Sequence, residues 1–193
     1  MVQRPDPQAK RLSHGPRDMF LSLLALLLII APLVLLTRGC SFEPGAPRAD
    51  PADAPVVDVR GDLSRLAPSV GFPIRLPRVP EQWRANSTST SSVPPTSVVV
   101  RAGWLTPERF VQLSQSSAPM ADLLAVETGT ASSARGDVDV DGTKWAVHPG
   151  RRDERVWVAD LAGTTVLITG NGSEDEFRTV ARSLKAAPPL PTA

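Results

Sequence analysis

Residues 19–37, MFLSLLALLLIIAPLVLLT, run for nineteen positions without a charge. At about 1.5 Å per residue, a helix of that length reaches roughly 28 Å, close to the ~30 Å hydrocarbon thickness of a bilayer. Its apolar side chains run all round the helix instead of forming one stripe, as lipid-facing surface requires. The flanks are rich in Pro and charge, so they offer nothing to bury the helix in a soluble core. The stretch therefore reads as a single membrane span. It divides the chain into a basic tail (1–18), the span (19–37), a Pro/Ala/Asp-rich linker (38–59), a folded domain (60–187) and a short C-terminal tail (188–193). Pro32 falls near the end of the span, where proline is tolerated.

Orientation follows from Lys and Arg. Arg4, Lys10, Arg11 and Arg17 precede the span, whereas Arg38 and then Arg48 follow it. The basic side stays in the cytoplasm, so the large C-terminal part is expected to be extracytoplasmic at the cell membrane. A cleaved signal peptide is the competing reading. Its apolar region usually covers ~7–15 residues and ends at an A-x-A-like site, and none follows here. Leu36-Thr37-Arg38-Gly39-Cys40 resembles a bacterial lipobox in Gly39 and Cys40 but departs from it at Arg38. A lone thiol just past the membrane surface is the preferred reading, and both readings hold the domain at the outer face.

One Cys in 193 residues excludes an intramolecular disulfide, so the outer domain must be held by its core. Residues 1–40 carry five Lys/Arg against two Asp/Glu, and the remainder carries sixteen against eighteen. An outer part so nearly neutral has no polybasic stripe for nucleic acid. The short cationic tail sets topology and meets anionic lipid.

Past the linker, Arg60-Gly61-Asp62 spells an integrin-type tripeptide, but Asp62 is better read as the N-cap of a short helix over 63–67. Pro73, Pro77 and Pro80 keep the next stretch out of a central strand. WRANSTSTSS, opening at Trp83, is polar and β-prone and reads as an edge strand. TSVVVRAGWL (96–105) is a strand with Val98, Val100 and Trp104 as core candidates. ERFVQLSQS places Phe110 opposite Val111 and Leu113. Residues 118–129 read as a helix carrying Met120, Leu123, Leu124 and Glu127 on one face and ended by Gly129.

The clearest local signals come last. GDVDVDGTKWAVHP alternates polar and apolar residues around Asp141-Gly142, a hairpin signature, and ERVWVADLAGTTVLITG gives two more strands across Ala162-Gly163. SEDEFRTVARSLKAA opens with a capping box at Ser173 and Glu176 and presents Phe177, Val180, Ala181 and Leu184 on one face. Pro188 stops it. The expected fold class is α+β: one N-terminal transmembrane helix, then a small antiparallel sheet domain covered by helices.

Several residues invite chemistry. Asp137-Val138-Asp139-Val140-Asp141-Gly142 imitates the start of a calcium loop, yet position 12, which needs a bidentate Glu, is His148. The preferred reading is a hairpin strand whose alternate carboxylates face solvent. His148 has no second His beyond the span and no G-x-S-x-G to serve, so it reads as a surface or loop histidine. Glu174, Asp175 and Glu176 suit a helix N-terminus better than a catalytic pair. Gly170-Asn171-Gly172 sits where phosphate loops do, but it lacks G-K-[ST] and is followed at once by three acids. Asn86 and Asn171 open N-x-[ST] patterns, which matter only in a eukaryotic secretory pathway. Trp83, Trp104, Trp145 and Trp157 all lie beyond the span. They read as core residues, with a ligand groove as the alternative.

Taken together, LPRVPEQWRANS, RAGWLTPERFVQLSQS, VDGTKWAV and TTVLITGNGSEDEFRTVARSL, behind a basic tail and one span, resemble an uncharacterised family of actinobacterial membrane proteins, a domain of unknown function. The preference for Arg over Lys suits a high-GC genome. That family supplies no catalytic residues to carry over. The outer domain is also similar to the PsbP/Mog1-like α+β fold, where a P-x-x-W opening precedes an antiparallel sheet; the similarity implies partner binding more than catalysis. The expectation is a non-catalytic binding or accessory protein of the bacterial cell envelope, with no cofactor, metal or nucleic acid. It would be held in the bilayer by residues 19–37 and engage an envelope protein partner. The alternative is a binder of a lipid or other apolar small molecule in the outer domain.

Overall fold

The computed structural model describes residues 16–36, 56–107, 109–130 and 132–192. The basic tail before residue 16, Cys40 and most of the Pro/Ala/Asp-rich stretch lie outside the described residues. The chain forms two compact units, Met1–Arg48 and Ala49–Ala193.

In the first unit, helix α1 spans Pro16–Leu36, 21 residues with Pro32 inside. Residues 19–30 are all exposed along it, among them Phe20, Leu24 and Leu28. Taken over the described residues, no helix is long and apolar enough to cross a membrane. In α1 the side chains described are those of residues 17, 19–30 and 32.

The second unit is built on one antiparallel sheet. Its elements are α2 (Val59–Leu66), β1 (Arg84–Val93), β2 (Ser97–Leu105), β3 (Phe110–Ser116), α3 (Met120–Thr128), β4 (Gly136–Val140), β5 (Thr143–Pro149), β6 (Arg155–Leu161), β7 (Thr164–Gly170) and α4 (Glu174–Ala186). The strand order is β1-β2-β3-β7-β6-β5-β4. Two meanders, β1–β3 and β4–β7, therefore meet at β3 and β7, which pair from Val111↔Gly170 to Ser116↔Thr165. The α+β class with a helix-covered antiparallel sheet is as expected.

Local chemistry sets the hairpins. Asp141 and Gly142 take φ of 51° and 78°, and Ala162 and Gly163 take 55° and 83°. Positive φ at both central residues turns a two-residue loop with the twist its strands need. In each hairpin an Asp closes the turn: Asp139 Oδ1 accepts from Gly142 N–H and Asp160 Oδ1 from Gly163 N–H, both at 3.0 Å.

Alternation then sorts side chains onto two faces. Val100, Ala102, Trp104, Val111, Leu113, Trp145, Trp157, Val166 and Ile168 form the larger core with Leu63 of α2 and Phe177, Val180, Ala181 and Leu184 of α4. Each large apolar side chain so buried contributes about 1.5–3 kcal/mol. The Trp157 and Phe177 rings meet edge to face at 5.4 Å, which fixes α4 on the sheet. On the opposite face Val99, Val156, Val158 and Leu167 pack under Leu123 and Leu124 of α3. Ser173 and Glu176 form the expected capping box, and Gly129 ends α3 in the left-handed region.

Three boundaries differ from expectation. The cap of α2 is Asp58, whose side chain accepts from Gly61 N–H; Asp62 lies in the first turn and binds Arg65 and Thr88 instead. Val59, in the stretch read as linker, is buried in the larger core. Leu190, in the stretch read as a tail, is buried and donates its N–H to Ile74 O at 2.8 Å. In both places only one or two apolar residues in a short stretch make the contact, too few for a periodic signal.

Ala162 holds a left-handed conformation without the local hydrogen bonding that makes Asn tolerant of it. Ala162→Asn is expected to raise stability by about 0.5–1 kcal/mol, read as a higher urea midpoint. An unchanged or lower midpoint would contradict the turn assignment.

Candidate functional site

The residues with chemical potential in the sequence are mostly committed to structure. Asp137 pairs with Lys144 at 2.9 Å, Asp139 closes its turn, and Asp141 pairs with Arg182 of α4 at 3.1 Å. The three carboxylates thus have three different partners, and Val138 and Val140 pack on the larger core. Among the described residues no group of three or more His, Cys, Asp or Glu is placed to hold a metal ion.

His148 is not a surface histidine. It is 8% exposed, and its Nδ1 lies 2.9 Å from Ser132 O. A carbonyl only accepts, so Nδ1 carries the proton and the ring pins the segment after α3 to β5. The four tryptophans are all buried in the larger core, from 1% exposed at Trp145 to 8% at Trp83. Glu176 caps Ser173 N–H at 2.7 Å, and Glu174 takes two bonds from Arg178.

Periodicity gave no sign of the buried ion pair on the α3 face. Glu127, 6% exposed at its side chain, accepts from Arg101 Nε at 2.7 Å and from Gln112 Nε2 at 3.2 Å. Arg101 also donates to Ser91 Oγ at 2.9 Å. Strands β1, β2 and β3 thus each contribute to seating α3. This carboxylate has its partners supplied, and it acts as a clamp.

Arginines without an ion-pair partner among the described residues sit at both ends of α4. At its C-terminal end a cleft of about 550 Å³ lies between Arg60 of α2, Leu76, Arg78, Ser183 and the segment from Ala186 to Pro191. The Arg78 backbone N–H donates to Ser183 Oγ at 2.5 Å, which ties its segment to α4. Leu76, Leu190 and Pro188, Pro189 and Pro191 give the cleft an apolar wall. Among the described residues neither Arg60 nor Arg78 has an ion-pair partner. At the N-terminal end the β7–α4 turn lies among Arg109, Arg152 and Arg155 in a hollow of about 520 Å³. The sequence flags only the Gly170-Asn171-Gly172 part of this arrangement, because the arginines arrive from distant segments.

Residues 11–184 match a family described as a protein of unknown function (DUF4245), and the chain belongs to that family. No curated protein and no solved structure matches it.

Removing one partner of the Arg101–Glu127 clamp leaves the other charge buried. Glu127→Ala is expected to cost about 3–5 kcal/mol in urea denaturation, while the double change Arg101→Met with Glu127→Leu recovers most of it. A loss under 1 kcal/mol for Glu127→Ala would show that the pair is not desolvated.

Proposed function

We propose that this member of the DUF4245 family is a membrane-anchored, extracytoplasmic binding protein of the cell envelope, acting by binding and not by catalysis. The nineteen uncharged residues from Met19 and the cationic flank before them support the anchor and its direction. The exposed apolar side chains of residues 19–30 agree with that reading. His148, Glu127 and the hairpin aspartates support binding over catalysis, because each is engaged in holding an element in place.

One observation carries the ligand class: Arg60 and Arg78, neither with an ion-pair partner among the described residues, line a cleft walled by Leu76, Leu190 and three prolines. Guanidinium forks hold carboxylate or phosphate oxygens in pairs, and a low-dielectric wall strengthens the attraction. The wall offers burial to a chain of methylenes at about 0.8 kcal/mol each. The ligand this fits is an anionic amphiphile, a lipid with its headgroup at the arginines. Because the tryptophans are in the core, their fluorescence is not the reporter of occupancy.

A protein partner is the second reading, and strand β1 favours it. It forms one margin of the sheet, and residues 85–93 contain neither charge nor proline. Such an edge accepts an extended segment by strand addition.

Native mass spectrometry of the full chain, released from its own membrane, tests both readings. The expected result is one anionic lipid per chain, reduced at least about tenfold by Arg60→Ala with Arg78→Ala. Lipid retained by that variant would overturn the cleft assignment, and a protein adduct retained by it would move the function to β1.

A further inference from the structure

The hollow at the beginning of α4 has a different chemistry from the cleft at its other end. Arg109 precedes β3, Arg152 lies in the short turn Arg151–Asp153, and Arg155 opens β6. They converge because Gly170, the last residue of β7, stands opposite Val111 on one side and Arg155 on the other. Gly170 has a φ of +137°, and a Cβ there would run into the Phe110 carbonyl oxygen. No side chain therefore stands between the start of β3 and the start of β6, and the turn lies directly against Phe110. Gly172 N–H donates to Phe110 O at 3.2 Å, and Phe110 N–H donates to Asn171 Oδ1 at 2.8 Å.

We infer that this hollow binds a phosphoryl group. Among the described residues its lining is Arg109, Arg152, Arg155, Glu174 and the polar turn Gly170–Ser173, without an apolar side chain. That offers acyl chains no place and selects a compact, strongly hydrated anionic group. Arg109 Nη1 donates to Asn171 O at 3.1 Å, which anchors one guanidinium at the turn and leaves its other donors for a ligand. Among the described residues Arg152 and Arg155 have no carboxylate partner. Arg152 is held at φ 49° and ψ 48°, a conformation that a residue of its shape adopts only against strain.

The acids that count against an anion in the sequence do not oppose it here. Glu174 Oε1 takes bonds from Arg178 at 3.1 and 2.8 Å, and Glu176 Oε2 caps Ser173 N–H. Asp175 is not among the lining residues. Nor does the site borrow the helix terminus, since the capping box already takes the N–H groups of Ser173 and Glu176. Binding rests on the three guanidinium forks, whose planar donors suit a tetrahedral oxyanion. The same phosphoryl chemistry arises from free phosphate or from the headgroup of a phospholipid.

The test is calorimetry on the full chain in maltoside micelles, which carry no phosphate, at low ionic strength. Inorganic phosphate and glycerophosphoglycerol, the headgroup of phosphatidylglycerol without its acyl chains, are titrated separately. Saturable binding of at least one is expected. In the Arg60→Ala, Arg78→Ala background, where the other cleft cannot contribute, Arg152→Ala with Arg155→Ala should weaken it at least about tenfold. Arg152 and Arg155 are exposed, so an unchanged circular dichroism spectrum is expected for that variant. Tighter binding of inorganic phosphate identifies a free phosphate as the source, and tighter binding of the headgroup identifies lipid. Absence of saturable binding for both, or binding indifferent to the Arg152 and Arg155 changes, overturns the proposal.

Discussion

The pairing of β3 with β7 is the constraint on which the folded unit depends. Each meander is local, built from hairpins whose turns are written into adjacent residues. Neither meander closes a core alone. The larger core draws Val100, Ala102, Trp104, Val111 and Leu113 from one meander and Trp145, Trp157, Val166 and Ile168 from the other. Only the six residue pairs from Val111↔Gly170 to Ser116↔Thr165 bring those sets side by side. The helices then act as fasteners across the seam. Helix α4 lies on one face, with its edge-to-face contact to Trp157, and α3 on the other, clamped through Glu127 to Arg101 and Gln112.

The candidate sites follow from the same geometry. Where β7 ends, the seam sets Arg109 and Arg155 on either side of a glycine, and α4 starts from that point. Thirteen residues later, about 20 Å along the axis, α4 ends beside Arg60 and Arg78. One helix thus carries a wholly polar basic hollow at one end and an amphipathic basic cleft at the other. The distinction between them lies in their walls. Both offer guanidinium groups, and only the second offers methylenes a place to go.

What could be read from the sequence was whatever is local. Asp141-Gly142 and Ala162-Gly163 announce their turns, Ser173 and Glu176 announce a helix start, and alternation separates Trp157 from Val156 and Val158. The seam joins residues 49 to 59 positions apart, and no periodicity encodes it. That is why Arg109, Arg152 and Arg155 could not be grouped and why Glu127 looked like one more member of a helical face. The placement of His148 failed for a related reason. Its strand position puts it with Ala146 on the second face, but the segment around Ser132 that covers it has no regular structure to predict. Asp62 lost the cap to Asp58 because both stand before a plausible first turn, and the buried Val59 decides between them.

Every binding reading presupposes where the domain stands relative to the bilayer. Cys40, the one thiol of the chain, falls three residues after the uncharged run and reports on it without engineering. The direct measurement is labelling of intact cells with a membrane-impermeant maleimide. The account predicts that Cys40 is modified before lysis, placing the C-terminal unit outside. Modification only after lysis would put that unit in the cytoplasm and contradict it.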